Sequence, residues 1–327
     1  MKPFEYHRAA DVREAVALVA ANPDARYLAG GTNLVDLMKL GVERPSLLVD
    51  VSGLPLRDIT ETADGGVHIG ALVSNSDIAA DRRVRERYPA LARAILAGAS
   101  GQLRNMATAG GNLMQRTRCM YFTDVTQPCN KRAPGTGCGA RRGEHHNLAV
   151  LGASEHCIAT HPSDMAVALV ALDAQVHVHE SDGPRTALLA EFYRPVADTP
   201  EREFQLQPGG LVTGFTLPAS AFAARSTYRK VRERASFAFA IGSAAAAVEV
   251  RDGTIAQARV ALGAAASHPW RAYAVERLLA GAPAVRETFV EAADAELAAA
   301  APLPDNAYKV KLLHHLIVST LREVATR

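Results

Sequence analysis

The chain has 327 residues, 48% of them apolar, with a net charge of +2. That length predicts two or three domains with a sizeable core, and the near-neutral charge gives no general case for nucleic acid or a membrane surface. No apolar run approaches the roughly 18 residues of a membrane span, and the opening Met1-Lys2-Pro3-Phe4-Glu5-Tyr6 lacks the apolar core of an export signal.

In chain order, Asp11 with Glu14 at the N3 position reads as a capping box opening a helix that carries Val12, Ala15, Val16 and Val19 on one face and stops at Asn22-Pro23. A short strand, 27–29, runs into Gly30-Gly31-Thr32-Asn33, followed by a helix over 34–40 ended by Gly41 and a buried strand over 46–50. This is a small βαβ unit with a glycine turn where backbone amides can approach an anion. It is neither Gly-x-Gly-x-x-Gly nor a Walker loop, and one such doublet is more often a plain tight turn. A strand is predicted at 67–71, a strongly charged helix at 76–87 with a solvated face, and a helix at 90–97. A second doublet, Gly110-Gly111-Asn112, repeats the first; two such turns can hold the two phosphates of a dinucleotide, with Gly111 expected at positive φ.

Residues 116–147 are rich in Pro and Gly, have no helical or strand period, and hold Cys119, Cys129 and Cys138; Cys157 follows. A loop of this length inside a domain is functional or disordered. Gaps of nine, eight and eighteen residues contain no Cys-x-x-Cys, so zinc-ribbon, thioredoxin and bacterial-ferredoxin patterns are excluded. Four thiolates could hold a 4Fe-4S cluster or a structural zinc, and spacing does not choose between them. Asp164 is expected to cap an apolar helix over 165–172; strands are predicted at 174–178 and 211–217. Beyond about residue 220 the texture changes to an alanine-rich strand, an Asp252-Gly253 hairpin turn, a partner strand over 254–262, and helices over 272–279, 285–299 and 306–325. His314 and His315 on the last helix read as core or interface residues.

Leu28-Ala29-Gly30-Gly31-Thr32-Asn33-Leu34, Ala107 to Leu113, His161-Pro162-Ser163-Asp164 and Lys230 to Ser236 together resemble the signatures of the FAD-binding medium subunit of the molybdenum hydroxylases, the xanthine dehydrogenase and carbon monoxide dehydrogenase family. The cysteine insert is similar to that of the periplasmic aldehyde oxidoreductase branch, whose flavin subunit carries a 4Fe-4S cluster; a similar insert occurs in 4-hydroxybenzoyl-CoA reductases, the alternative. The resemblance implies an α+β fold: a two-part FAD-binding domain over 1–219 (subdomains about 1–55 and 56–219, with the insert 116–147), then a C-terminal domain over 220–327 with a small antiparallel sheet and a helical bundle. It implies non-covalent FAD with its pyrophosphate along 29–34 and 108–112, held by Leu28, Ala29, Gly30, Gly31, Thr32, Asn33, Leu34, Thr108, Gly110, Gly111 and Asn112. Ser163 belongs to the same site, Asp164 reaches the ribose or adenine side, and Leu211 and Lys230 are further candidates near the flavin ring. Cys119, Cys129, Cys138 and Cys157 become the ligands of a 4Fe-4S cluster.

The resemblance also implies a heterotrimer with a large molybdenum-cofactor subunit and a small subunit of two 2Fe-2S clusters. This chain would be an oxidoreductase subunit with no catalytic side chain of its own, passing electrons to an external acceptor. Other classes consistent with the residues are a zinc-stapled interaction subunit and an iron–sulfur sensor that binds a nucleotide. Without an export signal the expected place is cytoplasmic, or periplasmic if a partner's signal carries the complex. Between Arg116 and Asn147, six basic residues (Arg116, Arg118, Lys131, Arg132, Arg141 and Arg142) against Asp124 and Glu144 give a local charge of +4. They serve as counter-ions to a cluster or as a basic face for an acidic electron carrier such as a ferredoxin or flavodoxin.

Overall fold

The computed structural model describes residues 1–326. The first sheet is parallel, in the order β1-β3-β2, from β1 (Glu5–Arg8), β2 (Ala25–Leu28) and β3 (Leu47–Asp50). Helix Val12–Ala21 starts as its sequence dictates, the Glu14 amide donating to the Asp11 carboxylate at 2.9 Å. The reciprocal arm of the box differs: Glu14 takes the amide of Ala10 at 2.6 Å. Helix Leu34–Lys39 lies between β2 and β3, and Gly41 at φ +75° ends it. The glycine turn of the βαβ unit therefore sits at the carboxyl end of a parallel strand, where helix and strand diverge.

The second sheet is antiparallel with the order β4-β5-β8-β6-β7, from β4 (Ile59–Glu61), β5 (Val67–Gly70), β6 (Gln175–Glu180), β7 (Gly183–Leu188) and β8 (Leu211–Leu217). Its inner face (Val67, Ile69, Val176, Val178, Phe215, Leu217) packs on helices Pro89–Ala97 and Asp164–Ala171. Each fully buried Val or Phe there contributes roughly 1.5–3 kcal/mol. The charged helix expected over 76–87 is two helices, Asn75–Ala80 and Arg82–Arg87. Asp81 divides them, its carboxylate accepting from the amides of Arg83 and Val84 at 2.9 and 3.3 Å. Strand β7, absent from the sequence reading, is an edge strand exposed at alternate residues and holding Pro184.

The third sheet runs β12-β11-β10-β9, from β9 (Ser226–Val231), β10 (Gly242–Arg251), β11 (Thr254–Gly263) and β12 (Trp270–Arg271), all antiparallel. Asp252 (φ 49°) and Gly253 (φ 74°) form the two-residue turn that right-twisted strands favour. The alanine run of β10 is buried on both faces. Ala244, Ala246 and Val248 point to helices Arg286–Leu297 and Tyr308–Ala325, while Ala245 joins the core around helix Asp164–Ala171. Small side chains let two layers close on one strand. His314 is not a core residue: its Nε2 lies 3.2 Å from Asp294 on the neighbouring helix, and His315 is exposed. No helix among the described residues is long and apolar enough to cross a membrane.

Candidate functional site

The two glycine doublets lie back to back. A Cβ on Gly30 would sit 1.9 Å from the carbonyl oxygen of Met106, at the entry to the second loop, so only glycine allows this approach. Gly31 takes φ +72°. Gly111 does not: the expectation of positive φ there is corrected, because Gly110 and Gly111 lie in the short helix Ala109–Leu113, capped by Thr108, whose hydroxyl accepts from the Gly111 amide at 3.3 Å. Main-chain bonds from Ala109 to Val73 (2.9 Å) and from Gly110 to Ala71 (2.8 Å) fix this second loop on the end of β5. In the first loop the amides of Gly30, Gly31, Thr32 and Asn33 donate to no protein group among the described residues. The Asn33 side chain is held by its oxygen, which accepts from the Arg116 amide at 2.9 Å, while its buried Nδ2 has no partner. A row of free N–H groups beside an unpaired amide nitrogen is a cradle for an acceptor-rich anion.

The cradle separates two clefts. The smaller, about 270 Å³, is lined by Ala29, Gly30, Gly31, Thr32, Asn33, Leu34, Thr108, Gly110, Gly111 and Leu211, with Tyr27, Val51 and Leu72 as apolar walls. The larger, about 630 Å³, shares Thr32, Asn33 and Gly111 and adds Asn112, Asp164 and Lys230, with Ile95, Leu103, Phe237 and Phe239 among its apolar lining. Leu28 and Ser163 line neither cleft. Leu211 and Lys230, expected together, are in different clefts, and Asp164 shares the larger one with Lys230. Neither cleft is lined by His or Cys.

Ser163, not Asp164, caps helix Asp164–Ala171, accepting from the Ala166 amide at 2.9 Å and donating to Asn112 Oδ1 at 2.6 Å. It thereby ties the end of the His-Pro-Ser-Asp segment to the second glycine loop. Asp164 is left free to pair with Lys230 (2.7 Å) and to accept from Tyr228 (2.5 Å). Burial, with the Asp164 charge behind it, raises the Tyr228 hydroxyl well above its usual range, so it stays a donor. Burial pushes His161 down to about 3, so it is neutral at pH 7. Asn75, Arg118 and the Phe237–Phe239 segment were not singled out in the sequence as cleft residues. Asn75 Oδ1 and Arg118 Nε are buried without hydrogen-bond partners, and the Arg118 guanidinium stacks 5.0 Å from the Phe239 ring. The only sequence signal for Arg118 is its place beside Cys119.

Cys119, Cys129, Cys138 and Cys157 are brought together: all four are free thiols lining one small cavity with Phe122, Pro128 and Lys131. The insert is ordered by an antiparallel backbone β-bridge between residues Cys129 and Cys138, a helical turn at Met120–Thr123 and a 3-10 turn at Gly139–Arg141. Burial raises the Cys119 thiol to about 11 and raises that of Cys157, so without a bound cation these thiols keep their protons. Among the described residues, no three His, Cys, Asp or Glu side chains are set to hold a single metal ion.

The basic residues of the insert do not make a continuous outer face. Arg116 pairs with Glu43 (2.8 Å) and Glu203 (2.5 Å), Lys131 is 3% exposed and pairs with Glu203 (2.9 Å), and Arg141 pairs with Glu155 (2.8 Å). Arg132 donates to the carbonyls of Tyr121 and Phe122 at 2.8 Å each, and Arg142 alone of the six is exposed. Burial alone would raise the Glu203 carboxyl, but the charges of Arg116 and Lys131 outweigh it and hold it below its ordinary range.

Residues 2–220 match the family described as the FAD binding domain in molybdopterin dehydrogenase, and residues 226–324 match the CO dehydrogenase flavoprotein C-terminal domain. The chain is 50% identical to an aldehyde oxidoreductase FAD-binding subunit of Escherichia coli K12, over 99% of this chain and 98% of the other. It is 27% identical to a glyceraldehyde dehydrogenase medium chain of Sulfolobus acidocaldarius, over 85% and 81% of the two chains. Among solved structures, a carbon monoxide dehydrogenase from Hydrogenophaga pseudoflava superposes with a TM-score of 0.77 at 26% identity, covering 99% and 98% of the two chains. A quinoline 2-oxidoreductase from Pseudomonas putida 86 shares the fold with a TM-score of 0.76 at 22% identity, covering 100% and 99%.

Proposed function

The chain belongs to the FAD-binding subunits of the molybdopterin dehydrogenases, the molybdenum hydroxylase family, and is an oxidoreductase subunit; from that premise we propose how its two sites serve electron transfer out of an aldehyde oxidoreductase. The pyrophosphate of FAD would be held between Gly30–Asn33, whose free amides and Asn33 Nδ2 can donate to its oxygens, and the Thr108–Asn112 wall. The two clefts would take its two halves, with the Lys230–Asp164 pair as the polar contact in the larger one. When bound, FAD would collect electrons that arrive singly from the 2Fe-2S clusters and could pass them on singly or in pairs. The protein's part is to hold it without a covalent bond. The observation that carries this reading is the unpaired Asn33 Nδ2 in the wall shared by both clefts.

We read the four thiols, which line one cavity, as the ligands of a 4Fe-4S cluster; the support for that choice over zinc is the likeness of the cysteine insert to the one in the aldehyde oxidoreductase branch. Such a cluster relays single electrons. The partners in this reading are a large molybdenum-cofactor subunit, where the aldehyde is oxidised, and a small subunit with 2Fe-2S clusters. Electrons leave this chain for an external acceptor. The inward-turned charges of the insert remove the electrostatic argument for an acidic carrier, so the acceptor's charge is left open. The test is a complex purified through a tag on this chain. Adding an aldehyde under anaerobic conditions should bleach the flavin bands, and bands that persist while molybdenum is present would overturn the proposal.

A further inference from the structure

Five charged side chains connect the cradle to the thiol cavity. Arg26 pairs with Glu43 (3.1 Å), Glu43 with Arg116 (2.8 Å), Arg116 with Glu203 (2.5 Å) and Glu203 with Lys131 (2.9 Å). One end lies in the smaller cleft, which Arg26, Glu43 and Arg116 line; the other lies in the thiol cavity, which Lys131 lines. Lys131 has a second anchor, the carbonyl of Pro200 at 2.9 Å, and Arg116 also stacks 4.8 Å from the ring of Phe122, a cavity residue. Lys131 is buried and Glu203 half-buried, and charges largely out of water are felt over several ångströms with little screening. Three cations share two carboxylates, so the chain of ion pairs carries one uncompensated positive charge.

We infer that this network couples occupancy of the phosphate cradle to the charge of the thiol site, with Glu203 as the positioning residue between them; the inference rests on the reading of the two sites given above. An anion beside Arg116 draws part of its charge away from Glu203. The Glu203 carboxylate then leans more on Lys131, which is left less able to stabilise negative charge among the thiolates. FAD binding therefore lowers the midpoint potential of the cluster, and by reciprocity reduction of the cluster weakens FAD binding by the same factor. Lys131 is the member of this chain that reaches the thiol cavity, and residues 120–128 on the other side of that cavity hold no cation.

The test uses the full chain loaded with cluster and FAD, and an EPR-monitored titration of the cluster before and after removal of FAD. In the unmodified protein the midpoint should rise when FAD is removed. The expected shift corresponds to about tenfold in FAD affinity, about 59 mV for a one-electron couple. Glu203→Gln should raise the midpoint and largely abolish its dependence on FAD. Glu203→Asp should keep the dependence, and Lys131→Met should lower the midpoint and make it indifferent to FAD. Where a variant sheds its iron, FAD affinity is the second readout: Glu203→Gln frees Arg116 and should bind FAD more tightly, and unchanged affinity would overturn the coupling. Cluster and FAD both present with no FAD-linked shift overturns the coupling alone. Absence of iron or flavin from the unmodified chain overturns the reading of the sites, and the coupling with it.

Discussion

Replacing Gly30 with alanine tests the cradle where the structure is least forgiving. The new Cβ would lie 1.9 Å from the Met106 carbonyl oxygen and 2.9 Å from its carbon. Both are backbone atoms that no rotamer change can move, so the two glycine loops must separate by more than about 1 Å to restore ordinary contact. Overpacking of this kind costs about 1–3 kcal/mol. In the free protein the loops can relieve it by parting, but a pyrophosphate held between the free amides of the first loop and the wall formed by the second needs the two close, so its binding must restore the strain. The expected loss of FAD affinity is therefore about 5- to 150-fold, at about 1.4 kcal/mol per factor of ten. Gly41→Ala is the control: Gly41 has a positive φ, +75°, which strains an alanine, but nothing lies within 4 Å of its Cβ and it lines neither cleft, so it should lower stability without changing affinity. Fluorescence titration of FAD into the flavin-free variants, with thermal unfolding alongside, makes the comparison. Gly30→Ala binding FAD within threefold of the unmodified protein would refute the claim that the loops clamp the phosphates.

Four further outcomes are expected. Acid precipitation should release all flavin to the supernatant, since no His or Cys lines either cleft; yellow colour kept in the pellet contradicts non-covalent binding. Serine at any one of Cys119, Cys129, Cys138 or Cys157 should lower the iron content and the order of the insert, as measured by iron analysis and limited proteolysis. Lys309→Met should lower stability by about 2 kcal/mol in denaturant unfolding: its buried amine donates to Asn147, Leu148 and Ala264 at 3.1, 2.9 and 2.7 Å, and although Leu148 keeps Asn306 Nδ2 at 3.4 Å, the carbonyls of Asn147 and Ala264 would be orphaned. Glu203 is held below its usual pKa when folded, so it adds stability above the unfolded value and loses it as pH falls through the folded one. Acid unfolding below about pH 4.5 should therefore be shallower in Glu203→Gln.

The sequence was most informative where the structure is decided locally. The Asp252-Gly253 turn, the cap at Asp11, the stop at Gly41 and the turn at Gly31 all depend on a residue's own φ or on a neighbour three or four positions away. It was least informative where the partner is distant. Asp164 looked like a cap because Ser163 also fits one; what frees it for another use is Lys230, 66 residues on. The basic residues of the insert looked like an outer face until Glu43 and Glu203, from either side of the insert, turned two of them inward. His314 met its carboxylate on another helix. The aromatic wall of the larger cleft comes from Phe237 and Phe239, in a segment with no periodicity to mark it. The four cysteines were legible as a group by their clustering, but their convergence on one cavity depends on the 3-10 turn after Cys138 and the backbone β-bridge at Cys129, which spacing does not encode.

The central claim is that this subunit holds FAD and an iron–sulfur cluster in two adjacent sites. It is tested most directly by the visible spectrum of the anaerobically purified chain, together with iron and zinc analysis. The chain should show the twin flavin bands on a broad brown shoulder that bleaches with dithionite, with iron present and zinc absent. A flavin spectrum without the shoulder, with zinc at one per chain, would contradict it.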